Sequence, residues 1–493
     1  MQSSFWRSSH ESHSNHANPF RNSAASPPSG PEERKADYPI DFVIVGGGIA
    51  GLATAYALAV GGHRVHVLEK STRDPLTGSG VAVPPNLGRI MKHWGLLHVL
   101  EAKGAQIIDV SLANLNTGAD VGIMHVHKDI LADLDVPYYA MHYCDLRDAI
   151  QQHAASVGVR VTTGVCVKKV TPPPESESDG SPVPPSKRVR PTVTLSTGEI
   201  LTADVVIGAD GPSGIVRQVV DPQVSTRPAT MSVYTGTVTA DKLKKYASLA
   251  PVHEFVFEHW TWWVGTNRSM LGYPIRDNTE YSMHIWSSEV SDAPESWDRV
   301  IPVADLKMDD WDLEPRLRDV LESAAHFTHS RYSDASRPEE WVDSTASIIV
   351  VGEAAHPYMP TNKYCCSTAF EDAAVLGTLF SRLDSLDQIP SLLYAYQDLR
   401  QGRAEVLNLL GLSNASVAMA AKPHSKVGNT LVRLIMQNGD PDEAPLPDPM
   451  TAWDEVEEVW GYSAIDDADE WWVRWGRLRQ HALSSPSAGE VFT

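Results

Sequence analysis

The stretch Asp41-Phe-Val-Ile-Val45 running into Gly46-Gly-Gly-Ile-Ala-Gly51 restricts the folds open to this chain more than any other feature. A short apolar run ending on glycines predicts a strand, Ile49 to Leu58 has helical composition, and Arg64-Val-His-Val-Leu68 is apolar again before Glu69. Strand, G-x-G-x-x-G, helix, and an acid about twenty residues on is the pattern of a dinucleotide-binding α/β unit. Gly46 permits the tight turn, Gly48 admits a pyrophosphate close to the backbone, and Gly51 lets helix and strand pack tightly. The helix N-terminus supplies partial positive charge, and Glu69 is placed to accept hydrogen bonds from a ribose hydroxyl. The fingerprint alone serves FAD and NAD equally.

A chain of 493 residues has room for two or three domains, and 42% hydrophobic with 21% charged residues is ordinary globular composition. A formal charge of −21 disfavours a polyanion, so nucleic acid is not an expected partner. No run approaches the roughly 18 to 20 apolar residues of a membrane span. Cys144, Cys166, Cys365 and Cys366 form neither a C-x-x-C pair nor a regular framework, which disfavours zinc and secreted disulfides and points to a cytoplasmic setting. The vicinal pair Cys365-Cys366 reads either as a redox couple or as small packing residues.

Residues 1–38, rich in Ser, His, Asn and Pro, read as a disordered tail. Helices are expected over Asn86 to Leu100 and Asp145 to Val157, and a strand over Val159 to Val170. Residues 171–191 form a Pro- and Ser-rich insertion read as an exposed loop, and Thr192 to Leu195 and Val205 to Ile207 resume as strands. Met231 to Trp286 alternates aromatic and β-branched with polar residues, which predicts a mostly antiparallel sheet. Ser347 to Val351 is a strand, a helix is expected from near Thr368, and another over Ser391 to Leu410. Trp453, Trp460, Trp471, Trp472 and Trp475 among acidic residues suggest amphipathic helices packed on the body.

Two distant segments distinguish FAD from NAD. Asp204-Val-Val-Ile-Gly-Ala-Asp-Gly-Pro-Ser-Gly-Ile-Val-Arg217 and Ile348-Ile-Val-Val-Gly-Glu-Ala-Ala-His-Pro357, the latter followed by Glu371-Asp-Ala-Ala-Val-Leu376, resemble the second and third motifs of the group A flavin monooxygenases, the family of para-hydroxybenzoate and salicylate hydroxylases. Gly78 to Asn86, Gly272-Tyr-Pro-Ile275 and Tyr396 to Arg403 are similar to smaller motifs of that family. The resemblance covers about residues 40–415. It implies an α/β fold: a Rossmann-like FAD-binding domain (39–225 and 341–415), an interleaved, mostly antiparallel β-sheet substrate domain (226–340) and a C-terminal helical region (416–493). It further implies that Gly46, Gly48, Gly51, Glu69, Gly80, Ala82, Tyr143, Asp210, Gly211, Glu353 and Cys366 surround FAD, and that His356, Pro357 and Tyr273 lie at the reacting end. With one nucleotide fingerprint in the chain, NAD(P)H is expected to bind only transiently.

The sequence departs from that family where the flavin ring is expected. The H-R-x-D-L motif reads His142-Tyr143-Cys144-Asp145-Leu146, the usual aspartate is Glu353, and the glycine-rich stretch reads Lys363-Tyr364-Cys365. Lys363 is either a charge beside the flavin's pyrimidine edge or a solvated surface lysine. Tyr234-Thr235 stands where a subgroup has Tyr-Arg, which leaves Arg268, Arg276 and His284 as candidates to meet a phenolate. Phe255, Phe257, Trp260, Trp262, Trp263 and Tyr273 read equally as pocket wall and sheet core. His259 and His356 are acid–base candidates by residue type. The resemblance implies a monooxygenase that hydroxylates or epoxidises a small apolar or aromatic molecule with NAD(P)H and O2, in secondary metabolism or aromatic catabolism. The altered motifs leave open a non-redox cyclase or isomerase on the same scaffold, and a non-catalytic binding protein comparable to the Rab GDP-dissociation inhibitors.

Overall fold

A computed structural model describes residues 34–72, 79–107, 109–125, 134–174, 189–245, 260–265, 267–290, 299–360, 362–418 and 457–476. Most of the expected tail, the core of the 171–191 insertion, Phe255, Phe257, His259, Trp453 and most of 416–493 lie outside them.

The fingerprint strand Asp41–Val45 is the centre of a five-stranded parallel sheet, ordered Ile348–Val350, Val205–Gly208, Asp41–Val45, Arg64–Glu69, Arg160–Thr163. Strands buried on both faces need near-continuous apolar sequence, which Ile348–Val350 and Val205–Gly208 have. Helix Ile49–Val60 lies between this sheet and helix Cys365–Phe380, and Gly377 has no room for a Cβ, which would stand 2.7 Å from that of Ala57. Leu52, Leu58, Leu376 and Leu379 are fully buried in this layer. Each contributes about 1.5–3 kcal/mol, more than the roughly 1 kcal/mol that a helical glycine costs.

The second large layer is an eight-stranded sheet, ordered Val300–Ile301, Phe327–Ala335, Thr226–Thr239, Glu280–Ser287, Arg268–Ile275, Trp260–Val264, Asp109–Asn114, Asp120–His125. It is antiparallel except where Trp260–Val264 runs parallel to Asp109–Asn114. Chain within 39–225 therefore contributes two strands to the sheet expected from 226–340, a long-range pairing with no local sequence signal. Alternation sorts the side chains. Trp263, Met270, Tyr281, Met283 and Ile285 join a core with Leu317, Val320 and Leu321 of helix Pro315–Glu322. Trp260, Trp262, Leu271, Tyr273 and Trp286 face the opposite way in a separate cluster.

Several sequence boundaries shift at glycines in the left-handed region. The helix expected over Asn86 to Leu100 is two, Pro85–His93 and Leu97–Lys103, broken at Gly95 with φ 76°. The strand expected over Val159 to Val170 divides at Gly164, φ 73°, into Arg160–Thr163 of the parallel sheet and Val167–Thr171 of a three-stranded one. The helix placed near Thr368 starts at Cys365, and that of Ser391 to Leu410 spans Ile389–Ala418. Helix Ala464–Trp471 packs on Cys365–Phe380. Trp472 is buried there, whereas Trp475 is exposed.

Candidate active site

Between the two layers runs one cleft of about 480 Å³. At one end it is lined by Gly47, Gly48, Glu69 and Arg147, in the middle by Gly80, Ala82, Tyr143, Gly211, Glu353 and Cys366, and at the sheet by Leu271, Tyr273, His284 and Trp286.

The glycine end is built from backbone. Gly48 caps helix Ile49–Val60 with no side-chain hydrogen bond, so the first-turn N–H groups point at the cleft. A Cβ at Gly48 would meet only the Tyr143 hydroxyl, 4.0 Å away, and one at Gly211, where φ is 80°, would meet nothing within 4 Å. Glu69 accepts hydrogen bonds from Gly47 N–H and Ser71 N–H, both 2.7 Å, and keeps lone pairs for a ribose hydroxyl. This cradle fits the adenosine and pyrophosphate of FAD.

Gly46 and Gly51 lie behind the cradle. Their Cβ atoms would stand 2.2 Å from the Ala209 carbonyl oxygen and 2.0 Å from that of Gly46, so both serve the packing of turn and helix. Asp210 is also behind the wall, its Oδ2 accepting from the N–H groups of Ile215 and Val216 at 2.8 and 3.2 Å. Burial raises its carboxyl above the ordinary range.

Arg147 was not singled out in the sequence. It lies one turn beyond Tyr143 on helix Tyr143–Ser156, hence on the same face, and its Nε donates to the Gly47 carbonyl at 3.3 Å. A guanidinium thus reaches the glycine end of the cleft from the turn after Tyr143; the i, i+4 spacing was the available signal. Glu353 opens onto the cleft, yet the surrounding protein raises its carboxyl, opposed by His356. Burial pushes the Cys366 thiol up to about 12 and the Cys365 thiol well above its ordinary value, with Glu353 adding to both, which keeps these thiols protonated and favours packing over redox chemistry.

At the sheet end, Tyr273 pairs across strands with Ser282, and His284 sits two residues on along the same face. The Tyr273 hydroxyl is 2.8 Å from His284 Nε2, which is 3.3 Å from Ser282 Oγ. Burial lowers His284 to about 4, so its imidazole is neutral at neutral pH, while burial raises the Tyr273 hydroxyl. Gly80 makes this possible: a Cβ there would stand 2.3 Å from the Tyr273 ring. Trp260 stacks on Tyr273 with ring centroids 4.2 Å apart. Arg268 and Arg276 are occupied elsewhere, Arg268 with Glu289 and over the Trp311 ring, Arg276 with Asp145 and Glu280 at 2.8 Å each.

His356 and Pro357 are not brought to the cleft. His356 is 1% exposed, and its Nε2 lies 2.7 Å from Asp372 Oδ2. Asp372 also accepts from Gly352 N–H at 2.9 Å and from Arg400 Nε at 2.9 Å, while Arg400 and Arg403 hold Glu371 at 2.7 and 3.1 Å. Burial alone would raise both carboxyls, but Arg400 with Arg403 for Glu371, and His356 with Arg400 for Asp372, bring them below their ordinary values. The network anchors the turn that carries Glu353.

Fold and cleft together define a flavin-dependent oxidoreductase of the dinucleotide-binding α/β type. The family model described as "FAD binding domain" matches residues 40–408. The chain belongs to this family, that of the group A FAD-dependent monooxygenases. Its relatives include the FAD-dependent monooxygenase OpS4 of Beauveria bassiana, 27% identical over 74% of this chain and 82% of that protein. The 3-amino-4-hydroxybenzoate 2-monooxygenase PtmB3 of Streptomyces platensis is 28% identical over 73% and 84%. Among solved structures, CtdE in complex with FAD and substrate has the same fold, with TM-score 0.70, 17% identity, and coverage of 90% of this chain and 100% of that one.

Proposed function

We propose that this enzyme uses NAD(P)H and O2 to hydroxylate or epoxidise a small aromatic or polyketide- or terpenoid-like molecule seated against the Trp260–Tyr273–Trp286 wall, in secondary metabolism or aromatic catabolism. The continuity of the cleft from the Gly48 cradle to that wall carries the reading, because cofactor and substrate then meet without crossing solvent. FAD, when bound, supplies the transfer of electrons from NAD(P)H to O2 and of one oxygen atom to the substrate. Gly48, Glu69, Arg147 and Gly211 hold it from 39–225, and Glu353 and Cys366 from 341–415. Trp260, Leu271 and Trp286 exclude water, and Tyr273 with His284 holds a proton at the substrate's oxygen. His356 and Pro357 act through position rather than contact. The aromatic substrate in the name of the Streptomyces relative supports the ligand class. Four free thiols fit the cytoplasm.

The test is purification of the full chain, followed by a screen of phenols and aromatic acids for stimulated NAD(P)H oxidation with matching O2 uptake. Yellow protein with stimulated uptake is the expected result. Colourless protein that converts a substrate without O2 would overturn the reading in favour of a non-redox enzyme.

A further inference from the structure

Lys363 belongs to the short segment before helix Cys365–Phe380, where the family resemblance leads one to expect glycine. Its side chain is partly exposed and reaches over the sheet. Nζ lies 5.1 Å from the ring centroid of Trp260 and 5.1 Å from that of Trp262, on the cleft face of the eight-stranded sheet, and its charge is felt by His284. Among the described residues no carboxylate pairs with it. Two indole faces hold the ammonium from one side and leave its N–H donors to the cleft. Burial lowers it to about 8, a cost without structural return unless something in the cleft answers the charge.

We propose that Lys363 is a specificity-determining residue, the receptor for an ionised oxygen on an aromatic substrate stacked along the Trp260 wall. The proposal rests on the monooxygenase reading for its substrate's place in the cleft and adds the charge that the substrate carries. The shared chemistry is an anionic oxygen, and a carboxylate or a phenolate supplies it. Arg331 also lines the cleft, from strand Phe327–Ala335, and is the natural control.

Of the titratable groups around Lys363, His284 sits at about 4 and Cys366 at about 12, and burial raises the Tyr273 hydroxyl and the Cys365 thiol. Burial also raises the Glu353 carboxyl, so a change between pH 7 and 9 is assigned to Lys363 by its loss in Lys363→Met.

The experiment measures binding to the FAD-loaded full chain by equilibrium dialysis, using benzoate against benzamide and pentafluorophenolate against pentafluoroanisole. In the wild type, one anion is expected to bind roughly tenfold to a hundredfold more tightly than its neutral partner at pH 6.5, as charge-assisted hydrogen bonds do. Which pair shows the preference tells carboxylate from phenolate. The preference fades above about pH 8, is abolished in Lys363→Met and is kept in Lys363→Arg and Arg331→Met. Equal binding of both pairs in the wild type, a preference that survives Lys363→Met, or one lost only in Arg331→Met would overturn the proposal. Flavin absorbance of the same samples is read separately. Loss of the cofactor therefore counts against the monooxygenase reading, while the charge preference still decides the role of Lys363.

Discussion

Replacing Lys363 with methionine should make the protein more stable. The ammonium titrates at about 8 in the folded protein against 10.5 for a free lysine, a difference of 10.5 − 8 = 2.5 units. At about 1.36 kcal/mol per unit this is a ceiling of about 3 kcal/mol against the charged folded state. Water in the cleft screens part of it, and the Trp260 and Trp262 faces return about 0.5–1 kcal/mol each. A gain of about 1–2 kcal/mol remains for methionine, which matches the lysine stem in length and opens little void. The assay is urea unfolding at pH 7, with the FAD affinity of each protein measured and its linkage contribution subtracted. Because the folded pKa is depressed, the unfolded chain binds the extra proton between about 8 and 10.5, and wild-type stability rises with pH through that window. The advantage of Lys363→Met is therefore full below about 8 and gone above about 10.5. A variant no more stable than wild type at pH 7, or an advantage that does not shrink at high pH, would refute the view that this lysine is held unpaired in the cleft.

Arg400→Met leaves Glu371 and Asp372 buried with one fewer partner each, and should cost about 3–5 kcal/mol in the same assay; a loss under about 1 kcal/mol would mean that Arg403 and His356 carry the carboxylates alone. Gly51→Ala drives a methyl to 2.0 Å from the Gly46 carbonyl oxygen, and should destabilise by about 1–3 kcal/mol and lower FAD retention measured by absorbance. Tyr273→Phe removes the hydroxyl bonded to His284 and should lower kcat roughly tenfold to a hundredfold with KM little changed. The wild-type acid limb should then fall near 4, the His284 value, rather than near 6.5.

The dinucleotide half was legible in the sequence because its information is local: turn glycines, an apolar strand and an acid lie within Asp41 to Glu69. Other parts depend on contacts between distant segments. Nothing near Asp109–Asn114 announces a parallel partner at Trp260–Val264, and only that sheet's registry separates Trp260 and Tyr273 on the cleft face from Trp263 in the core beyond. The seat of Lys363 over the indoles was not legible beside its two readings, flavin edge or solvent, because it needs the loop and the sheet to be placed together. His356 carried a motif that fits the reacting end, yet Asp372, sixteen residues on, draws its ring into the helix layer.

The claim at the centre is that one cleft holds the cofactor at its glycine end and the substrate at its tryptophan wall. A crystal structure of the FAD-loaded enzyme with a turned-over aromatic substrate measures this directly. The expected result is an adenosine ribose against Glu69, a flavin ring reaching Tyr143, Glu353 and Cys366, and the substrate against Trp260 and Trp286 with its oxygen at Lys363. Flavin density filling the tryptophan wall, or substrate bound outside this cleft, would contradict it.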